Sequence, residues 1–142
     1  EGDVIVKGAN ALDLRSRRAA VLIGDTRGGT TALAMQAVVG RRVRLIVPVG
    51  LEKRVATDVD QLAAEVNAPG STGPRLYPLI GEVVTELEAV EILTGATAEL
   101  MAGGGVCGAE GSVWLGIEGT LEQMEAADAL LTSIAGEPPF EL

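Results

Sequence analysis

The residues best placed to do chemistry lie in one loop, Gly24-Asp25-Thr26-Arg27-Gly28-Gly29-Thr30-Thr31, between an apolar run and a helical pattern. A helix N-terminus offers unpaired N–H groups and a partial positive charge, so an anion fits there. Gly28 and Gly29 permit close approach of the backbone and positive φ. Thr30 and Thr31 supply hydroxyls, either to cap the helix or to meet an oxyanion, and Arg27 adds a full charge. The loop reads as a cradle for a phosphate or carboxylate; the plainer reading is a tight turn with a threonine cap and no ligand. A dinucleotide fingerprint fails on glycine spacing. A Walker loop matches at Gly24, Gly29 and Thr31, but Thr30 stands where its lysine should be, which argues against a nucleoside triphosphatase.

Histidine is absent from the 142 residues. Ser-His and Cys-His nucleophile systems, histidine bases and most zinc sites go with it. Proton transfer would fall to carboxylates, Lys7, Lys53, Tyr77 or Cys107, and Asp25 and Asp13 are the candidates near strand ends. Lys53, in LEKR after a third apolar run, is a candidate second charge at the anion site. Cys107, the single cysteine, sits in GGGVCGAEG, which reads as a hairpin connection rather than a reactive thiol, since no cation stands nearby to favour the thiolate. Carboxylates abound without a metal-ligand spacing, so neither metal nor cofactor is implied.

The elements that must position these groups are those of an α/β chain. DVIVKG at 3–8, AAVLIG at 19–24 and VRLIVPV at 43–49 are near-continuous apolar runs, as strands buried on both faces should be. Leu33, Ala34, Ala37 and Val38 recur at helical spacing between the last two, which predicts a strand–loop–helix–strand unit with a parallel pair. A second helix is predicted over 56–66. APGSTGP at 68–74 reads as a linker. Beyond it come an edge strand at 75–80, helix 82–94, strands 96–102 and 112–118, helix 120–135 with a Thr120–Gln123 capping box, and a tail, PPFEL, as a last edge strand. The fold expected is therefore a partial parallel Rossmann-like sheet over 1–67, then a ferredoxin-like βαββαβ domain over 75–142.

Charge is divided unevenly. Residues 1–54 balance to +5 and residues 55–142 to −14, for a net −9. The anion-friendly charge shares a half with the glycine-threonine loop. An acidic whole with one Trp, one Tyr and one Phe excludes nucleic acid as a partner. No apolar run approaches the length of a membrane span, and one cysteine suits a cytoplasmic protein. Glu1 in place of an initiator methionine reads as the continuation of something longer.

VIVKGANALD, LIGDTRGGTTALA and RLIVPVGLEK together resemble the sugar-phosphate isomerase and CoA-transferase-like superfamily. Ribose-5-phosphate isomerase, methylthioribose-1-phosphate isomerase and deoxyribose-operon-type repressor effector domains belong to it. The resemblance covers residues 3–54. It implies ligand contacts from the glycine-threonine loop, and places Asn10 where the isomerases carry a catalytic aspartate. An amide can hold a hydroxyl but cannot be a general acid or base. Ligands of open α/β sheets bind beyond the carboxyl ends of strands, where Asn10, Asp25 and Thr30 should gather. The resemblance also implies that three strands lack part of a fuller core, so either a missing partner segment or a dimer that supplies one is expected, with a homo-oligomer as the expected partner. The leading expectation is sensory or regulatory binding of a small anionic metabolite. The alternatives are a sugar-phosphate isomerase or CoA-ester enzyme using Asp25 or Asp13, and an assembly module.

Overall fold

The computed structural model describes residues 2–138. The protein is α/β, and its backbone divides into two compact units, 1–85 and 86–142. No helix among the described residues is long and apolar enough to cross a membrane.

The first unit holds two three-stranded sheets. β1 (Val4–Val6), β4 (Arg44–Pro48) and β6 (Glu82–Val84) form a parallel sheet with β4 central, Ile5 opposite Leu45 and Val47 opposite Val83. β2 (Ala11–Asp13), β3 (Arg18–Ile23) and β5 (Arg75–Pro78) form an antiparallel sheet with β3 central. Two helices complete the unit, α1 (Gly29–Arg41) and α2 (Val59–Val66), with a 3-10 turn at Leu51–Lys53. Val59 and Ala63 of α2 pack against Ala11, Ala20 and Leu76, one from each antiparallel strand. Asp58 caps α2 by accepting from the Gln61 N–H at 2.9 Å. Gly81 enters β6 so close to β4 that a Cβ there would lie 2.8 Å from a Leu45 carbon and 2.9 Å from its carbonyl oxygen. Only glycine fits the approach.

Several expectations are corrected by this pairing. The runs at 19–24 and 43–49 are strands joined by a helix, but they are not a parallel pair. β3 has both edges occupied by β2 and β5, and β4 takes β1 and β6 instead. Nor are the parallel strands buried on both faces: β4 alternates Leu45 and Val47 inward, while Val4 and Val6 of β1 are exposed. The stretch 68–74 is a loop inside the first unit. Asn67 before it both donates to the Leu76 carbonyl and accepts from the Leu76 N–H, at 2.7 and 3.0 Å, closing the loop. The βαββαβ unit expected over 75–142 is divided otherwise, because β5 belongs with β3 and residues 82–84 are strand rather than helix. The PPFEL tail falls, after Pro138, outside the described residues.

The second unit is α3 (Glu86–Thr94), the antiparallel hairpin β7 (Thr97–Gly103) and β8 (Val113–Glu118), and α4 (Leu121–Ile134). Its core is Val90, Ala96 and Ala127, flanked by Ala98, Leu115 and Ile117. The predicted capping box is present: Thr120 Oγ1 accepts from the Gln123 N–H, and Gln123 Oε1 accepts from the Thr120 N–H. The Gln123 amide also donates to the Gly95 carbonyl at 2.8 Å, tying the start of α4 to the end of α3.

Candidate functional site

The glycine-threonine loop leaves β3 at Gly24, whose carbonyl accepts from Arg75 Nη2 at 2.8 Å. A turn follows, closed by the Gly28 N–H donating to the Asp25 carbonyl at 3.1 Å. The Asp25 carboxylate accepts from the Arg27 N–H at 2.6 Å, the local bond that makes aspartate a turn former. Gly28 and Gly29 then take φ of 84° and 57°, both left-handed. A side chain at Gly28 would also put its Cβ 2.8 Å from the Ala32 Cβ, so two demands for glycine coincide there.

α1 begins at Gly29 with Gly28 as its N-cap, and no side chain caps it. Its first turn carries no acid, and the first bond back into the loop is Ala32 N–H to the Gly28 carbonyl at 3.2 Å. The expected threonine cap is therefore absent. Thr31 is 2% exposed and belongs to the core, whereas Thr30 is exposed.

Beside this helix end lies an open depression of about 340 Å³ lined by Asp25, Arg27, Gly29, Ala32, Leu33 and Gln36. Gly29, Ala32, Leu33 and Gln36 are spaced i, i+3, i+4, i+7, so one helix face forms a wall. Of the expected site residues, Asp25, Arg27 and Gly29 line the depression, with Gly24 and Gly28 shaping the turn that carries them. Gln36 went unforeseen, although the same helical spacing, counted from the loop glycine, marks it.

The remaining candidates have other engagements. Asn10 extends the β2–β3 pairing: its N–H donates to the Ala20 carbonyl and its side-chain oxygen accepts from the Leu22 N–H at 3.0 Å. Asp13 accepts from the Arg15 N–H, the Ser16 N–H and the Ser16 hydroxyl, the last at 2.6 Å, and so folds the turn between β2 and β3. The Ser16 hydroxyl holds its carboxyl below the usual range; burial opposes it, and the Ser16 and Arg15 N–H groups with the Arg15 charge add to the lowering. Lys53 pairs with the neighbouring Glu52. Burial pushes the Glu52 carboxyl up, but the Lys53 bond, a backbone bond and the Arg54 charge outweigh it and leave the group below its ordinary value. None of Asn10, Asp13 and Lys53 lines the depression.

Cys107 is exposed with φ of 57°, in the loop that joins β7 to β8. Among the described residues no three His, Cys, Asp or Glu side chains cluster as metal ligands would.

What the depression can do is bounded by its lining. The Arg27 guanidinium and the Gln36 amide can donate, and Gly29 brings the positive end of the helix to the rim, which suits an oxyanion. Asp25, of opposite sign, suits a hydroxyl on the same molecule, or a proton taken from it. Compared with protein-family models, curated proteins and solved structures, the chain has no significant match.

Proposed function

We propose that this chain binds a small phosphorylated or carboxylated metabolite at the 24–31 loop, in a sensory or regulatory role. The observation that supports the reading is the start of α1, built from two left-handed glycines, free of a side-chain cap and of acids, and opening onto a depression that Arg27 and Gln36 line. Glycine is itself a common N-cap, but it offers no side-chain acceptor, so the first-turn N–H groups keep no side-chain partner. Binding is favoured over turnover because Asn10, the position where the resemblance would place an acid, is an amide engaged with the Leu22 N–H.

A second reading, a sugar-phosphate isomerase or CoA-ester enzyme, is favoured by Asp25, a carboxylate in the same lining. A thermal-shift screen of inorganic phosphate, sugar phosphates and acyl-CoAs tests the first reading. A ligand at 100 times its Kd adds about 2.7 kcal/mol, several degrees of Tm for a domain of this size. The expected result is a shift in the wild type that shrinks in Arg27→Ala. No shift with any of these ligands overturns the anion site. Turnover of a shifting ligand, lost in Asp25→Asn, would replace the sensor with the enzyme.

A further inference from the structure

The second unit leaves one face of its hairpin uncovered. Strand alternation turns Ala98, Leu115 and Ile117 toward the helices and puts Thr97, Glu99, Trp114, Gly116 and Glu118 on the other side. The pairing slips at Met101, where Leu100 faces Leu115 and Ala102 faces Trp114. Met101 is the extra residue of this bulge and lies across Gly116: a Cβ built there would be 2.8 Å from the Met101 sulfur. The result is a groove of about 310 Å³ lined by Thr97, Glu99, Met101, Gly116, Ile117 and Glu118. Trp114 flanks it. Its indole N–H is already satisfied by the Gly104 carbonyl at 2.9 Å, so the ring is pinned while 61% of it stays exposed.

Three features say what covers this face. Met101 is 74% exposed, so with Trp114 it presents polarisable apolar surface on an open sheet. Glu99 and Glu118 rim the groove, and residues 86–142 contain no Lys or Arg to neutralise them. Finally, among the described residues β7 and β8 pair only with each other, so each keeps an open edge. Open edges are usually guarded by lysine, which this unit lacks. A second copy presenting the same face would oppose carboxylate to carboxylate. An extended chain bearing cations meets all three features.

We infer that this face docks a basic partner protein, seating a Lys or Arg of an extended segment between Glu99 and Glu118 with its aliphatic stem over Met101 and Gly116. Trp114 then flanks the cation or packs on an apolar neighbour of it.

Trp114 is the only tryptophan, so its emission reports the face directly. An alternating Val-Lys peptide titrated into the full chain should shift that emission saturably, and a Val-Glu peptide should not. The Glu99→Gln/Glu118→Gln double variant, with an unchanged melting curve, should bind about tenfold more weakly or worse, and the wild-type affinity should fall with salt. Absence of a shift, or equal binding by the double variant, overturns the inference. So does a polyamine that shifts the emission equally at the same concentration. An emission shift that follows protein concentration without peptide would assign the face to a second copy. Binding seen only after removal of residues 139–142 would assign it to the chain's own tail.

Discussion

In the first unit Leu12, Val47, Leu51 and Val59 are fully enclosed, the antiparallel sheet packs on α2, and charged side chains meet partners. Arg18 forks onto Asp60 with bonds of 2.8 and 3.1 Å, and Arg44 reaches Glu82. The second unit encloses Val90, Ala96 and Ala127, and leaves Ile92, Leu93, Leu121 and Ile134 of its helices exposed. It has no basic residue at all. Small units bury too little surface to be robust alone, and like charges add self-repulsion. The contrast teaches that the first unit has the means of its own stability, while the second is arranged as a surface.

The largest expected effects test that division. Leu12→Ala empties a fully buried site and should destabilise the first unit by about 3 kcal/mol. Val90→Ala removes part of a three-residue core and should cost the second unit about 1 kcal/mol. Urea unfolding followed by far-UV circular dichroism and by Trp114 emission separates the two. The emission midpoint should come first and move only in Val90→Ala. Coincident transitions that shift together in both variants would mean the units unfold as one, and the comparison would fail.

Much of this architecture was legible in the sequence. The helices at 29–41, 59–66 and 121–134 were signalled by apolar spacing, and Thr120–Gln123 by its capping box, although the first helix runs through Gly40 to Arg41. Sheet membership was not. Nothing local to AAVLIG says that its partners are ALD and RLYP, because pairing is decided by sequence-distant contacts. β2 is three residues long and hidden in a turn-rich stretch, so periodicity had nothing to count. EVVTELEAVEILT fits a helical stripe throughout, yet Val83 is drawn into β4's register and Thr85 is buried. At the site, the glycines and Arg27 were readable as types, whereas the burial of Thr31 and the commitment of Asn10 to Leu22 depend on the folded sheet.

Caps offer a finer comparison, with like chemistry in both units. Asp58→Ala and Thr120→Ala each remove a side-chain acceptor from a helix start, at an expected cost of about 1 kcal/mol. The loss at Thr120 leaves the Gln123 N–H without its acceptor while the Gln123 side chain still holds the Thr120 N–H and the Gly95 carbonyl, and in so small a core it should still lower the Trp114 transition visibly. The loss at Asp58 falls on a larger core and should move the dichroism midpoint alone. Equal movement of both probes in Thr120→Ala would show that α4 supports more than its own unit.

The smallest effect separates the units by acid. Asp13 is held below its usual range chiefly by the Ser16 hydroxyl. A carboxylate with a depressed folded-state pKa adds stability that is fully present above the unfolded value of 3.8 and fades as pH falls through the folded one. Ser16→Ala removes the largest contributor, so the Asp13 titration should move back toward 3.8, read by NMR at its carboxyl carbon. The acid limb of the first unit's stability should then become shallower below about pH 4, with little change at pH 7 in its slope. Trp114 emission should be indifferent, because neither Asp13 nor Ser16 belongs to the second unit. A Trp114 transition that follows the Ser16 substitution would break the division at Thr85 more sharply than any core variant.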